Sequence, residues 1–196
     1  MTIWDDGGSK LAEQLIAELI RLFGDDPCRE GLAETPGRAV NMFREMLEGM
    51  RYSNSEIANI AEKCFDDDFT QTSQGIVIVK DISVHSFCEH HIALIYNMKV
   101  TAAYIPCGRV IGLSKIARIA DLVAKRMTLQ ERMGADIAEI IGRIAGTDDV
   151  AVLIEGEHSC MAARGVSKTG AVTKTAIFKG KFEKDESVKQ TLLGLI

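Results

Sequence analysis

Two small clusters of metal-capable side chains constrain this chain more than any other feature. Cys88-Glu89-His90-His91 follows a run of β-branched residues, and His158-Ser159-Cys160 closes a second such run much later in the chain. Cys88 and His91 are three residues apart, so one turn of backbone can offer a thiolate and an imidazole to a single ion. If Cys160 supplies the second thiolate, two strands distant in sequence must end near each other, and folds that separate those ends are excluded.

Zinc held for structure is closed by four protein ligands, whereas catalytic zinc keeps three and leaves a position for water or substrate. The chain offers Cys88, His90 or His91, and Cys160, with His158 in reserve, which fits the open kind. The competing readings are a closed site using both cysteines and two histidines, or no ion, with the cysteines as small buried hydrophobes. Three of the four histidines cluster beside these two cysteines, whereas Cys28, Cys64 and Cys107 have no histidine nearby, which favours the ion. An open zinc position lets water ionise at about pH 7. Spare imidazoles titrate in the same range and carry protons, so the pattern points to hydrolysis.

Composition narrows the setting. A chain of 196 residues suits one globular unit. Its net charge of −5 argues against a general nucleic-acid binder, so a bound nucleotide would be small and gripped by local cations. No apolar run approaches the roughly 20 residues needed to span a bilayer. Residues 1–10 are acidic and polar, unlike a signal peptide, so no membrane partner and a cytoplasmic location are expected. Five cysteines without framework spacing read as free thiols and ligands, not disulfides.

Periodicity predicts an amphipathic helix over 11–23, carried by Leu11, Leu15, Leu19 and Phe23 and stopped by Gly24. Thr35-Pro36 starts a second helix with Arg38 in its first turn. A weaker third helix over 55–65 and a polar loop over 66–74 follow. Strands are expected over 75–82, leading straight into Cys88, and over about 98–105, with a turn at 106–108 into 109–111. Ser114 reads as the N-cap of a helix buried through Ile116, Ile119, Ala120 and Val123. Lys115 and Arg118 share another face of its first turn, where cations oppose the helix dipole unless an anion arrives, so a phosphate is the natural visitor. Thr128 to Glu131 reads as a capping box, which makes Glu131 a cap before it is a ligand. The helix it opens runs to Gly146. Residues 150–160 are predicted as a strand with His158 and Cys160 on one face. A last strand over about 171–182 follows Arg164-Gly165, and the apolar end of the tail, Leu192 to Ile196, is expected to pack on a neighbour. The order gives an α+β fold, an antiparallel sheet backed by helices.

These residues resemble the GTP cyclohydrolase I family. The resemblance rests on Cys88-Glu89-His90-His91, Tyr104-Ile105-Pro106, Val110 to Arg118, Gln130-Glu131-Arg132, and His158-Ser159-Cys160 with Ala163-Arg164-Gly165-Val166. Glu34-Thr35-Pro36-Gly37-Arg38 matches as well, so the likeness runs from about residue 11 to the last strand. It implies a tunnelling fold over 75–196, an antiparallel sheet backed by two helices, with an N-terminal helical region over 1–74, the two forming one functional unit. It also implies a ring-shaped homo-oligomer, a decamer of two pentamers with active sites between subunits.

By the same resemblance Cys88, His91 and Cys160 hold Zn2+, and His90 and His158 handle protons. Glu131 receives the guanine with Gln130 beside it, and Ser114, Lys115, Arg118, Arg164 and Arg38 take the triphosphate of GTP. The implied chemistry is addition of water at C8, opening of the imidazole ring, loss of formate, an Amadori rearrangement of the ribose, and reclosure as 7,8-dihydroneopterin triphosphate, which opens pterin and tetrahydrofolate synthesis. Two alternatives stand beside it: a catalytically idle paralogue acting as a zinc- or nucleotide-binding scaffold, and an enzyme that stops at the ring-opened formamide. The chain departs from the family in a segment over 92–99 that is one residue longer, and in Asn41 where a lysine is expected. Loss of one charge-assisted contact of about 1.5–3 kcal/mol corresponds to roughly ten- to hundredfold in affinity.

Overall fold

The computed structural model describes residues 2–66 and 75–196. It forms two compact units, the first ending at Glu48 and the second spanning Gly49–Ile196. In the first unit α1 (Asp6–Leu22) packs on α2 (Thr35–Met46). α1 starts ahead of its apolar stripe because the Asp5 carboxylate accepts the Gly8 N–H at 2.7 Å and caps the helix. After it, Arg29 forks onto Asp25 at 2.8 and 2.9 Å, and that pairing holds the Asp25 carboxyl down to about 2.

The second unit runs α3 (Asn54–Ala61), β1 (Cys64–Asp66), β2 (Val77–Cys88), β3 (Ala93–Tyr104), β4 (Arg109–Ile111), α4 (Leu113–Ala124), β5 (Met127–Thr128), α5 (Gln130–Ala145), β6 (Val150–His158), α6 (Ser159–Ala162), β7 (Val172–Phe178), α7 (Lys181–Lys184) and α8 (Glu186–Leu195). The sheet order is β5-β2-β3-β6-β7; the four long strands are antiparallel, and the short β5 pairs parallel to β2. The mixed α/β architecture with an antiparallel sheet expected from the element order is therefore present.

One sheet face is covered by α4 and α5. Ile95, Met98 and Val100 of β3 meet Ile116 and Ile119 of α4 and Ile137 and Ile141 of α5 in one buried cluster. Full burial of each such side chain contributes about 1.5–3 kcal/mol. A smaller cluster on the other face joins Ala103, Ile105 and Ala151 to Phe182 and Leu192 of the tail. Leu192 therefore packs within its own chain, not on a neighbour. The last strand ends at Phe178 because Phe182 is needed in α7 to close that second face.

Other expectations shift for local reasons. α3 stops at Ala61, and Cys64–Asp66 instead pairs with β4, Cys64 opposite Ile111. Of the loop expected over 66–74, Asp66 lies in β1 and 67–74 lie outside the described residues. β3 begins at Ala93, so the long 92–99 segment is largely strand. The segment holds a bulge: Tyr96 to Lys99 on β3 spans three steps against two on β6, and Asn97 has φ 50°. A matching bulge on β2 lies between Val79 and Ile82, with Asp81 at φ 59°.

α4 is capped by Gly112 with no side-chain bond, which leaves Ser114 in the first turn and not at the cap. The Thr128 capping box does not form. Thr128 is buried in β5 opposite Cys88, Leu129 is the N-cap of α5, and Glu131 is left exposed in the first turn.

Candidate active site

Strand register decides which side chains meet. Cys88, the last residue of β2, lies opposite Ala93, and two residues further along β3 Ile95 lies opposite His158, the last residue of β6. Both metal-capable clusters therefore finish at the same end of the sheet, with β3 between them. His90 and His91 are exposed in the β2–β3 hairpin, their rings 6.4 Å apart and nearly perpendicular. Cys88 is buried.

Cys160 departs from its expected position. The strand ends at His158 and the chain turns into α6, so Cys160 sits in a helical turn packed toward β3 and does not share a strand face with His158. Among the described residues no three His, Cys, Asp or Glu side chains stand close enough together to grip one ion as placed. Arg164 follows α6, exposed, at the same end.

α5 starts there too, because β5 pairs with the end of β2 and hands the chain directly to Gln130 and Glu131. Glu89 of the hairpin is tied to this turn: its N–H donates to Thr128 O at 3.4 Å, and its carboxylate faces Arg132 at 3.8 Å. Gln130 is 1% exposed. Its Nε2 donates toward Ile154 O and Thr173 O, both at 3.1 Å, and Thr175 Oγ1 at 3.3 Å, while Oε1 lies 3.0 Å from His158 Nε2. Burial pushes the His158 pKa below its usual value, opposed by the charge of Glu131.

The anion-binding candidates lie elsewhere. β3 runs from the metal-capable end to Tyr104 at the far end, whose hydroxyl accepts the Ile111 N–H at 2.8 Å just before α4 begins. α4 then returns to β5. Ser114 and Lys115, in its first turn, are thus at the opposite end of the sheet from Cys88 and His158, and Arg118 lies about midway along the helix. The 12 residues of α4 separate the two ends by about 18 Å. Lys115, Arg118 and Arg164 form no ion pair among the described residues. Arg38 belongs to the first unit, in the first turn of α2, paired with Glu34.

Residues 12–196 match the GTP cyclohydrolase I family. The chain belongs to that family. Proteins named GTP cyclohydrolase 1 from Clostridium acetobutylicum and Clostridium beijerinckii are each 50% identical to it, over 95% and 94% of this chain and 96% and 95% of their own lengths. One from Ruminiclostridium cellulolyticum is 49% identical over 95% of this chain and 96% of its own. The chain is accordingly an enzyme of the GTP cyclohydrolase I family, converting GTP to dihydroneopterin triphosphate.

Several contacts around the site carry no sequence signal, although Arg132 itself belongs to a motif of the resemblance. Arg132 pairs with Glu89 across a hairpin and a strand. Thr173 and Thr175 reach Gln130 from β7. Arg126, just before β5, forks onto Gly49 O, Tyr52 O, Asn54 and Asp136. Such pairings join positions remote in sequence and leave no periodicity to read.

Proposed function

We propose that the reaction proceeds as hydrolysis at C8 of GTP, releasing formate, at a site holding Zn2+ on Cys88, His91 and Cys160. The donor set fits the ion in kind, two thiolates and one imidazole with a position left over. One donor is fixed at a strand end, while the other two are carried by a hairpin loop and a one-turn helix that can adjust toward it. When bound, the ion supplies Lewis acidity and the means to ionise water near neutral pH. The chain's own residues do the rest. The Glu131 carboxylate, exposed at the start of α5, accepts two parallel hydrogen bonds from the N1–H and exocyclic amine of guanine. His158 and His90 exchange protons with the opening ring. Ser114, Lys115, Arg118 and Arg164 hold the triphosphate, to which the resemblance adds Arg38.

The placement of Ser114 and Lys115 at the far end of α4, with Arg164 at the end that carries the metal donors, supports one further part of the reading: a second copy supplies Ser114 and Lys115 to the site, within the ring-shaped homo-oligomer that the resemblance implies, in the cytoplasm. Among the described residues no helix is long and apolar enough to cross a membrane.

The test is complementation. Cys160→Ser is expected to lose bound zinc and turnover, and Lys115→Ala to keep zinc and lose GTP affinity. Mixed oligomers of the two are expected to regain part of the release of formate and of the pterin that becomes fluorescent on oxidation. Wild-type levels of zinc in Cys160→Ser would sink the ligand assignment. Mixed oligomers that form and stay inactive would sink the shared site.

A further inference from the structure

We propose that Gln130 is a positioning residue that holds His158 in its Nε2–H form, and that it does not touch the guanine. The inference rests on His158 being a proton carrier, but it is reached from the buried hydrogen bonds around Gln130.

A carboxamide has two N–H donors at one corner and a carbonyl oxygen at the other. Three oxygens surround the Gln130 nitrogen: the carbonyls of Ile154 and Thr173 and the hydroxyl of Thr175. A flipped amide would set its oxygen against two carbonyl oxygens with no hydrogen between them, in a place sealed from water, so the orientation is forced. The Gln130 oxygen therefore faces His158 Nε2, 3.0 Å away, as an acceptor only. His158 must meet it with an N–H, so Nε2 carries a hydrogen in the neutral ring.

The other nitrogen, Nδ1, then carries no hydrogen in the neutral ring and is the ring's remaining acceptor. All polar atoms of Gln130 are spent within the protein: two hydrogens are shared among three acceptors and the oxygen is occupied by His158. The carboxamide, 1% exposed, has nothing left to offer a substrate, unlike exposed Glu131 beside it. This separates two adjacent residues into different tasks.

The direct test needs no variant. Zinc-loaded wild-type protein labelled with 15N only in histidine, at pH 8, is expected to show His158 as the Nε2–H tautomer. The signal is assigned by its absence in His158→Asn. A bare Nε2 with hydrogen on Nδ1 overturns the proposal.

Kinetics supply the second arm. Gln130→Met keeps the length of the side chain and removes the fork. It is expected to lower kcat about 10²- to 10⁴-fold, as loss of a histidine's correct tautomer does, with KM for GTP within about threefold. The tautomer signal should become mixed. Thr175→Val perturbs the same spot but leaves both carbonyl acceptors, and is expected to keep the Nε2–H form and nearly all of kcat. A rise in KM with kcat intact in Gln130→Met would assign Gln130 to the guanine and overturn the proposal, as would equal losses of kcat in the two variants. His158→Asn separates this inference from the reading beneath it. Full turnover there removes His158 from the chemistry, whereas an inactive His158→Asn with the wrong wild-type tautomer refutes the positioning role alone.

Discussion

Arg126→Ala tests how the candidate site is held. The Arg126 side chain is 14% exposed and every donor nitrogen is engaged: Nε with Gly49 O at 3.3 Å, Nη1 with Asn54 Oδ1 at 2.7 Å and Asp136 Oδ2 at 3.0 Å, and Nη2 with Tyr52 O at 2.9 Å. Gly49 allows this approach, since a Cβ there would stand 1.9 Å from Leu122 O at the C-terminal end of α4. The Arg126 carbonyl in turn accepts the Ser86 hydroxyl at 3.2 Å, and the next two residues pair with Phe87 and Cys88. One side chain thus clamps the segment before α3 onto the strand that delivers α5 to the site.

Removing it leaves the Asp136 carboxylate, on a side chain 21% exposed, without its cation and the Tyr52 carbonyl without the guanidinium, while Gly49 O keeps the Tyr52 N–H at 3.3 Å. Loss of one partner of a buried pair costs about 3–5 kcal/mol. Asp136 keeps some water and the Asn54 amide at 3.1 Å, which puts the expected loss at the lower end, about 3 kcal/mol. For a chain of this size that is a drop in Tm of roughly 6–12 °C. Calorimetry at fixed protein concentration reads it, because assembly makes Tm concentration-dependent. In a double-mutant cycle Arg126→Ala/Asp136→Asn should be less destabilised than the sum of the single changes, by about 1–3 kcal/mol. A Tm within about 2 °C of wild type, or a strictly additive cycle, would refute the clamp.

Gly156→Ala should destabilise by about 1–3 kcal/mol through overpacking, because a Cβ would lie 2.9 Å from Met98 Cγ, 3.1 Å from Ile95 Cγ2 and 3.5 Å from Gln130 Oε1. Thermal unfolding checks it, and adding Met98→Val should recover part of the loss. Asp25, held at about 2 against an ordinary 3.8 by Arg29, favours the folded form above pH 3.8, and that contribution disappears as the pH falls toward 2. In Arg29→Ala the Asp25 carboxyl, followed by NMR through an acid titration, should titrate near its ordinary value; an unmoved midpoint would remove Arg29 as the cause.

The fold was legible where side-chain spacing carried it. The isoleucine stripes of α4 and α5 placed both helices, since burial on one face repeats with the helix period. β2 was read only to Ile82 because its second half, Ser83 to Cys88, alternates with polar residues that the free face tolerates. β3 was read late because a bulge at Asn97 breaks its alternation. The capping box at Thr128 misled because the threonine was taken up by strand pairing with Cys88, a demand from a residue forty positions earlier. The alternation that puts His158 and Cys160 on one strand face is broken where the chain turns into α6 at Ser159, a turn that side-chain spacing does not mark.

By itself the sequence determined the chemistry on offer: two thiols, clustered imidazoles, an acid and a set of cations, with the helices that carry several of them. Side-chain chemistry and helical period are local properties, and a reading along the chain captures them. Tertiary structure decided which of these groups share a place. Strand register brought Cys88 and His158 to one end of the sheet, the run of α4 carried Ser114 and Lys115 to the other, and burial against β6 and β7 turned Gln130 inward. Hydrogen-bonded pairing and packing act between residues remote in sequence, so their outcome becomes visible only once the chain has closed on itself.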